Sequence, residues 1–205
     1  MIGRCKPDTI RNIVVMPGTD IFVEGTSDAV ALRTLAYRRG RDLGIDGVRL
    51  VVLHGVTNIR RHLDAAPDGG TVAGLCDAAE QRDFRLAFDR SAERLDVAGV
   101  FVCVPDLETE LIRAVGEEQV LEVVARERES EAFRTLQRQP AHRDGAVEQQ
   151  LHRFIGTKSG RKVRYARLLA GVVELDAVPG PLCAVLTAAT GYDDARSTVN
   201  PTSCP

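Results

Sequence analysis

Between residues 20 and 104 the chain alternates short, continuously apolar runs with longer amphipathic stretches, and this alternation limits the folds open to it. The order is DIFVEG, SDAVALRTLAYRRGRDL, VRLVVLHG, VTNIRRHLDAA, TVAGLCD, AEQRDFRLAFDRS and VAGVFVCV, which reads β-α-β-α-β-α-β. A strand apolar on both faces is buried on both, and strands separated by helices run parallel with right-handed crossovers. The expected core is therefore an α/β one, a mostly parallel sheet flanked by helices, with ligands at the C-terminal ends of its strands. In the first helix Ala31, Leu32, Leu35 and Ala36 form one buried stripe, Arg33 and Arg41 fall on the opposite side, and Arg38 sits at the margin.

After Pro105 the texture changes. LETELIRAVG, EEQVLEVVARERESEAFRTLQRQ, AVEQQLHRFIG and RKVRYARLLAG favour helix, with breaks near Pro140 and at Gly156 and Gly160, and no strand of comparable strength follows. The expected organisation is a lead-in over 1–17, an α/β core over 18–105, a helical extension with a basic segment over 106–190 packed against the open edge of the sheet, and a loose polar tail over 191–205. At 205 residues the chain is long enough for one well-cored domain. With 44% hydrophobic and 27% charged residues and a net charge of -2, it is neither disordered nor globally poised for a polyanion. The five cysteines are scattered without zinc or disulfide spacing, which fits reduced thiols in a cytoplasm. No 18-residue apolar run or signal-type h-region occurs, so neither membrane insertion nor secretion is expected.

Carboxylates punctuate the strand ends. Glu24 stops the run Ile21-Phe22-Val23 and Asp28 follows in the first turn of the next helix; Asp77 ends TVAGLCD, and Asp106 and Glu108 follow VFVCV. Asp28 alone reads as a helix cap, and Glu24 alone as either a solvated loop residue or a desolvated acid needing a partner. A parallel sheet brings all five to one edge, where they repel one another unless cations neutralise them. Carboxylates suit Mg²⁺ or Mn²⁺, and a pair of such ions clamps the attacking and leaving oxygens of a phosphodiester.

VEGTSD followed by a strand-terminal Asp resembles the TOPRIM domain, a metal-binding fold shared by topoisomerases, primases and several nucleases. The fuller series VEGTSDAVAL, GVTNIRRHL, VAGLCDAAE, DLETELIRAVG and GRKVRYARLL, over roughly residues 18 to 190, is similar to the TOPRIM half of overcoming-lysogenization-defect (OLD) nucleases. The resemblance implies a two-metal endonuclease with a TOPRIM-type sheet. It makes Glu24 and Asp28 ligands, Asp77 the central shared ligand, Asp106 and Glu108 the downstream ligands, and Lys162 the residue that stabilises charge at the scissile phosphate. Two features depart from the family. Its Asp-x-Asp is here Asp77-Ala78-Ala79, with the next carboxylate at Glu80, one helical turn on: either Glu80 reaches the site or the second ion is weakly held. OLD proteins usually carry an ATPase half, and this sequence has no GxxxxGK[ST] loop, so an ATPase partner is a separate protein on this reading.

From Arg153 to Arg167 the sequence RFIGTKSGRKVRYAR holds six basic residues, Arg153, Lys158, Arg161, Lys162, Arg164 and Arg167, and no acid. The alternatives are phosphate contact and a helix face paired with Glu108, Glu118 or other acids; beside a metal site, DNA contact is favoured. Arg134, Arg138 and Arg143 extend the patch. The four histidines are far apart in sequence, and His54 reads as a loop residue near the crevice. The expectation is a cytoplasmic Mg²⁺- or Mn²⁺-dependent endonuclease acting on DNA, with Glu24, Asp77 and Lys162 catalytic, two ions held by Glu24, Asp28, Asp77, Glu80, Asp106 and Glu108, and room for an oligomer. The alternative is a catalytically weakened module that binds nucleic acid or regulates an ATPase partner, a reading that Ala79 favours.

Overall fold

The apolar alternation becomes four strands in a computed structural model, which describes residues 18–191. These are β1 (Thr19–Val23), β2 (Val48–Val52), β3 (Thr71–Asp77) and β4 (Asp96–Cys103), all parallel in the order β2-β1-β3-β4. Between them lie α1 (Thr26–Arg38), α2 (Ile59–Asp64), entered through a 3₁₀ turn at Val56–Asn58, and α3 (Gln81–Ser91). The strand order reverses direction after β2. Right-handed crossovers then send α1 to one face and α2 and α3 to the other, and the core divides accordingly. Ile21, Val23 and Leu75 pack with Leu32 and Leu35 of α1, while Phe22, Val72 and Cys76 pack with Leu63, Phe84 and Phe88. Gly74 is required on the second face, because a Cβ there would lie 3.0 Å from the rings of both Phe84 and Phe88.

The second half is helical, as expected: α4 (Leu107–Val115), α5 (Glu117–Arg126), α6 (Ser130–Gln137), α7 (Val147–Gly156), α8 (Arg161–Val172) and α9 (Gly180–Thr190). It covers the α1 face of the sheet rather than only its open edge: α8 packs along α1, and α9 lies on β1, β3 and β4. Ala31, Leu32, Leu35 and Ala36 form the buried stripe of α1, but the helix ends at Arg38, short of the expected Leu43, with Gly40 at φ +70 beyond it. Arg38 hydrogen-bonds the carbonyls of Ala170 and Val173, fastening α1 to the end of α8.

Two features depart from the sequence expectation. The run 117–139 is broken in two by Arg128, which takes a left-handed φ of 59 and so turns Glu129 inward toward α8. Helix α9 lies within the expected helical extension but was not among the helical stretches singled out there. Its PLCAVLTAAT sequence has little polar face because the helix lies on the sheet and touches α1 at its side. The lead-in over 1–17 and the tail from 192 on lie outside the described residues. Among the described residues, no helix is long and apolar enough to cross a membrane.

Candidate metal centre

In this sheet the reversal of direction falls between β1 and β3, and the ends of such a strand pair open a crevice. Glu24 and Asp77 flank it. Glu24 follows the fully buried Ile21, Phe22 and Val23, so the chain leaves the core at this residue. Gly25 caps α1 and its N–H donates to Asp28 Oδ2 at 2.8 Å. Asp28 therefore does cap the helix, yet it also lines the crevice and is 8% exposed.

Asp77 is tied to the start of α4: its Oδ1 accepts the Leu107 N–H at 3.1 Å, and the Ala78 N–H donates to the Pro105 carbonyl at 3.0 Å. Asp106 caps α4 by accepting the Thr109 N–H at 2.9 Å, which puts Glu108 in the first helical turn, facing Asp77 across the cavity. From the first turn of α8, Lys162 Nζ reaches Glu108 Oε2 at 3.3 Å. Glu24, Asp28, His54, Asp77, Glu108 and Lys162 thus line one cavity of about 300 Å³.

The ligand atoms fall into two groups. Oxygens of Glu24, Asp77 and Glu80 lie within 4.8 Å of one another, and so do atoms of Asp106, Glu108 and His152. Glu80, at the start of α3, thus stands where the missing second Asp of the motif would be sought. Three carboxylate oxygens are buried without a hydrogen-bond partner: Glu24 Oε2, Glu80 Oε2 and Glu108 Oε1. Oxygen donors left unsatisfied in this way fit a hard divalent cation.

The protonation equilibria record the same deficit of positive charge. Burial, then the Asp28 charge, pushes Asp77 up to about 7, and burial, then Glu108 and Glu24, pushes Asp28 up to about 6. Burial and the neighbouring Glu80 raise Glu24. Asp106 goes the other way: burial acts to raise it, but the Thr109 and His152 hydrogen bonds outweigh that and hold it below the usual range. Burial alone would lower Lys162, but Glu108, Asp106 and Asp77 raise it, so it stays charged.

The basic segment divides. Arg161, 6% exposed, stacks 3.9 Å over Phe154 and hydrogen-bonds the Phe154 carbonyl, Thr157 and Glu129; Arg164 pairs with Glu129 at 2.6 Å and Glu127 at 3.5 Å. Expected as phosphate contacts, both instead hold α8 to the α5–α6 turn, with acids other than Glu108 or Glu118. Arg153 and Lys158 are exposed and make no ion pair among the described residues. Arg167 lines a different groove, about 990 Å³, beside β2, the edge strand among the described residues, with Arg33, Tyr37 and Arg49. Arg134 and Arg138 pair with Glu131, and Arg143 with Asp144, all at the surface.

His152 is the residue that sequence reasoning missed. Its Nε2 lies 2.6 Å from Asp106 Oδ2, a contact made by packing α7 against α4. The one available signal was its place on the flank of the buried Leu151 and Ile155 stripe of α7.

A four-stranded parallel sheet in this order, with acids at its strand ends, defines a TOPRIM-like α/β fold. Solved structures that it resembles include C-terminal regions of OLD proteins. That of Xanthomonas campestris pv. campestris is 22% identical with a TM-score of 0.63, the match covering 84% of this chain and 92% of that one. That of Burkholderia pseudomallei is 22% identical with a TM-score of 0.60, over 86% and 98%. No protein-family model matches the chain, and no curated protein matches it in sequence.

Proposed function

We propose that this protein is a metal-dependent nuclease that hydrolyses DNA phosphodiester bonds with two divalent ions, Mg²⁺ or Mn²⁺, held at the strand ends. One observation carries the reading: Glu24 and Glu108 each turn a buried carboxylate oxygen without a partner toward a cavity that a charged lysine also lines, and Glu80, grouped with Glu24, holds a third such oxygen. Glu24, Asp77 and Glu80 would hold one ion, Asp106 and Glu108 the other, with Asp28 steadying the Gly25 turn beside them. Such ions, when bound, supply Lewis acidity and an activated water. The protein's own groups do the rest. Lys162 stays protonated and is suited to donate to a phosphoryl oxygen as charge develops there, not to accept a proton. Buried Asp28 and half-buried Asp77, each held by a backbone N–H group, keep their carboxylate oxygens from reorienting. Arg153 and Lys158, exposed and without an ion pair among the described residues, would meet the flanking DNA backbone. An ATPase, on this or another polypeptide, is the proposed partner because the family resemblance couples this fold to one.

The test is supercoiled plasmid incubated with the protein in Mg²⁺, Mn²⁺ or EDTA, beside Asp77→Ala. Metal-dependent nicking abolished by the substitution supports the reading. A second reading, a weakened module that binds nucleic acid without cutting it, rests on Ala79; plasmid binding with no cleavage in any metal selects it.

A further inference from the structure

The imidazole beside the second acidic group has no part in the reading above. We infer that His152 is a nitrogen ligand of the ion held by Asp106 and Glu108, and that it biases that position away from Mg²⁺ toward a transition metal such as Mn²⁺. The inference rests on the metal-dependent reading and adds to it the identity of one ligand and one ion.

The three side chains are grouped closely enough to share one ion. One atom each from Asp106, Glu108 and His152 lies within 4.8 Å of the others, which is compatible with ligand distances of roughly 2.0–2.2 Å to one shared ion. The three come from α4 and α7, elements packed directly on each other. Glu108 supplies the independent sign of a missing ligand. It is 4% exposed, Lys162 takes only its Oε2, and its Oε1 has no partner. A carboxylate oxygen buried in that state lacks a positive neighbour.

The donor set decides which ion. Carboxylates and water are indifferent between Mg²⁺ and Mn²⁺, whereas an imidazole nitrogen suits Mn²⁺ and later transition ions and is a poor ligand for Mg²⁺. The Glu24, Asp77 and Glu80 group has oxygen donors alone. The two halves of the crevice therefore differ in chemistry: one is an all-oxygen position and the other a mixed nitrogen and oxygen position. The competing role for His152 is a plain hydrogen bond tying α7 to the cap of α4, made through the same 2.6 Å contact.

Pulsed electron paramagnetic resonance on the protein loaded with Mn²⁺ separates the two. A directly bound imidazole couples its ¹⁴N to the electron spin and modulates the echo. The expected result is ¹⁴N modulation in the wild-type protein and in His54→Gln, since His54 also lines the cavity, and its loss in His152→Gln. Calorimetric titration of His152→Gln should show Mn²⁺ affinity at one position reduced about 10–100-fold, with Mg²⁺ affinity little changed. Mn²⁺ bound without ¹⁴N modulation, or modulation lost in His54→Gln instead, overturns the inference and leaves the nuclease reading standing. No Mn²⁺ binding at all by the wild-type protein overturns both. His152 has a side chain 41% exposed, so the glutamine variant is expected to fold, and the wild-type and His54→Gln spectra together decide the matter even if it does not.

Discussion

Arg161 and Lys162 are neighbours on the first turn of α8, yet each serves a different cluster of buried acid. Arg161 points to Glu129, where Arg164 and Tyr165 also converge: the Tyr165 hydroxyl donates at 2.9 Å and Arg161 Nη2 at 3.0 Å. Burial acts to raise Glu129, but the Arg161, Tyr165 and Arg164 hydrogen bonds hold its carboxyl below the usual range. Lys162 points to the crevice, where among the described residues it is the only lysine or arginine lining a cavity shared with Glu24, Asp28, Asp77 and Glu108. There Asp77 is pushed up to about 7 and three carboxylate oxygens lack partners. The first cluster supplies its own cations and so holds helices together. The second does not, and its deficit is what a divalent ion from solution would fill. An acidic cluster is thus read as scaffold or site by whether the chain balances it.

The contrast breaks most readily at Glu129. Glu129→Ala leaves Arg161 buried beneath Phe154 without its carboxylate, and losing one partner of a buried pair costs about 3–5 kcal/mol. The melting temperature should fall by about 6–20 °C with or without metal; a change of under two degrees would show that Glu129 is not structural. Next in size, Lys162→Met should slow plasmid cleavage about 10²–10³-fold, with the circular dichroism spectrum of the wild type retained. If cleavage is unaffected, Lys162 does not stabilise the phosphate. Third, Mn²⁺ at about one hundred times its dissociation constant should stabilise the wild-type protein by about 2.7 kcal/mol. Glu24→Gln combined with Glu108→Gln should erase that thermal shift, while Glu129→Ala should keep it.

The crevice was legible in the sequence and the Glu129 cluster was not, for a physical reason. Parallel pairing of apolar runs carries every strand's C-terminus to one edge, so Glu24, Asp77 and Glu108 meet whatever the helices do. Glu80 needed only one further helical turn. Arg161 and Arg164, in contrast, stand in a segment without acids, and the density of charge gave no sign that Arg161 is buried. Their partners, Glu127 and Glu129, arrive from more than thirty residues upstream because Arg128 breaks the helix there. His152 was invisible on the same grounds, since only the packing of α7 on α4 brings it to Asp106. The sheet edge follows from local pattern, whereas contacts between helices of the second half depend on tertiary packing that no periodicity reports.

The smallest expected effect is the sharpest, because its sign is opposite to the first. Without metal, Asp77 in the folded protein titrates at about 7 against an ordinary 3.8. Between those values the folded state holds a proton that the unfolded chain has released, so stability falls as pH rises through the window and the deficit is complete above it. Asp28, pushed up to about 6, adds to the same slope. An asparagine at 77 keeps an oxygen for the Leu107 N–H and cannot ionise. In metal-free buffer at pH 8, Asp77→Asn should therefore be more stable than the wild type by about 1–2 kcal/mol, or about 2–8 °C, after allowance for partial solvent screening. At pH 4 the two should melt together. Saturating Mn²⁺ at pH 8 should reverse the order, because only the wild type retains the central ligand. A variant that melts below the wild type at pH 8 without metal would mean that Asp77 is held by its surroundings as Glu129 is, and the distinction between the balanced and the unbalanced cluster would fail.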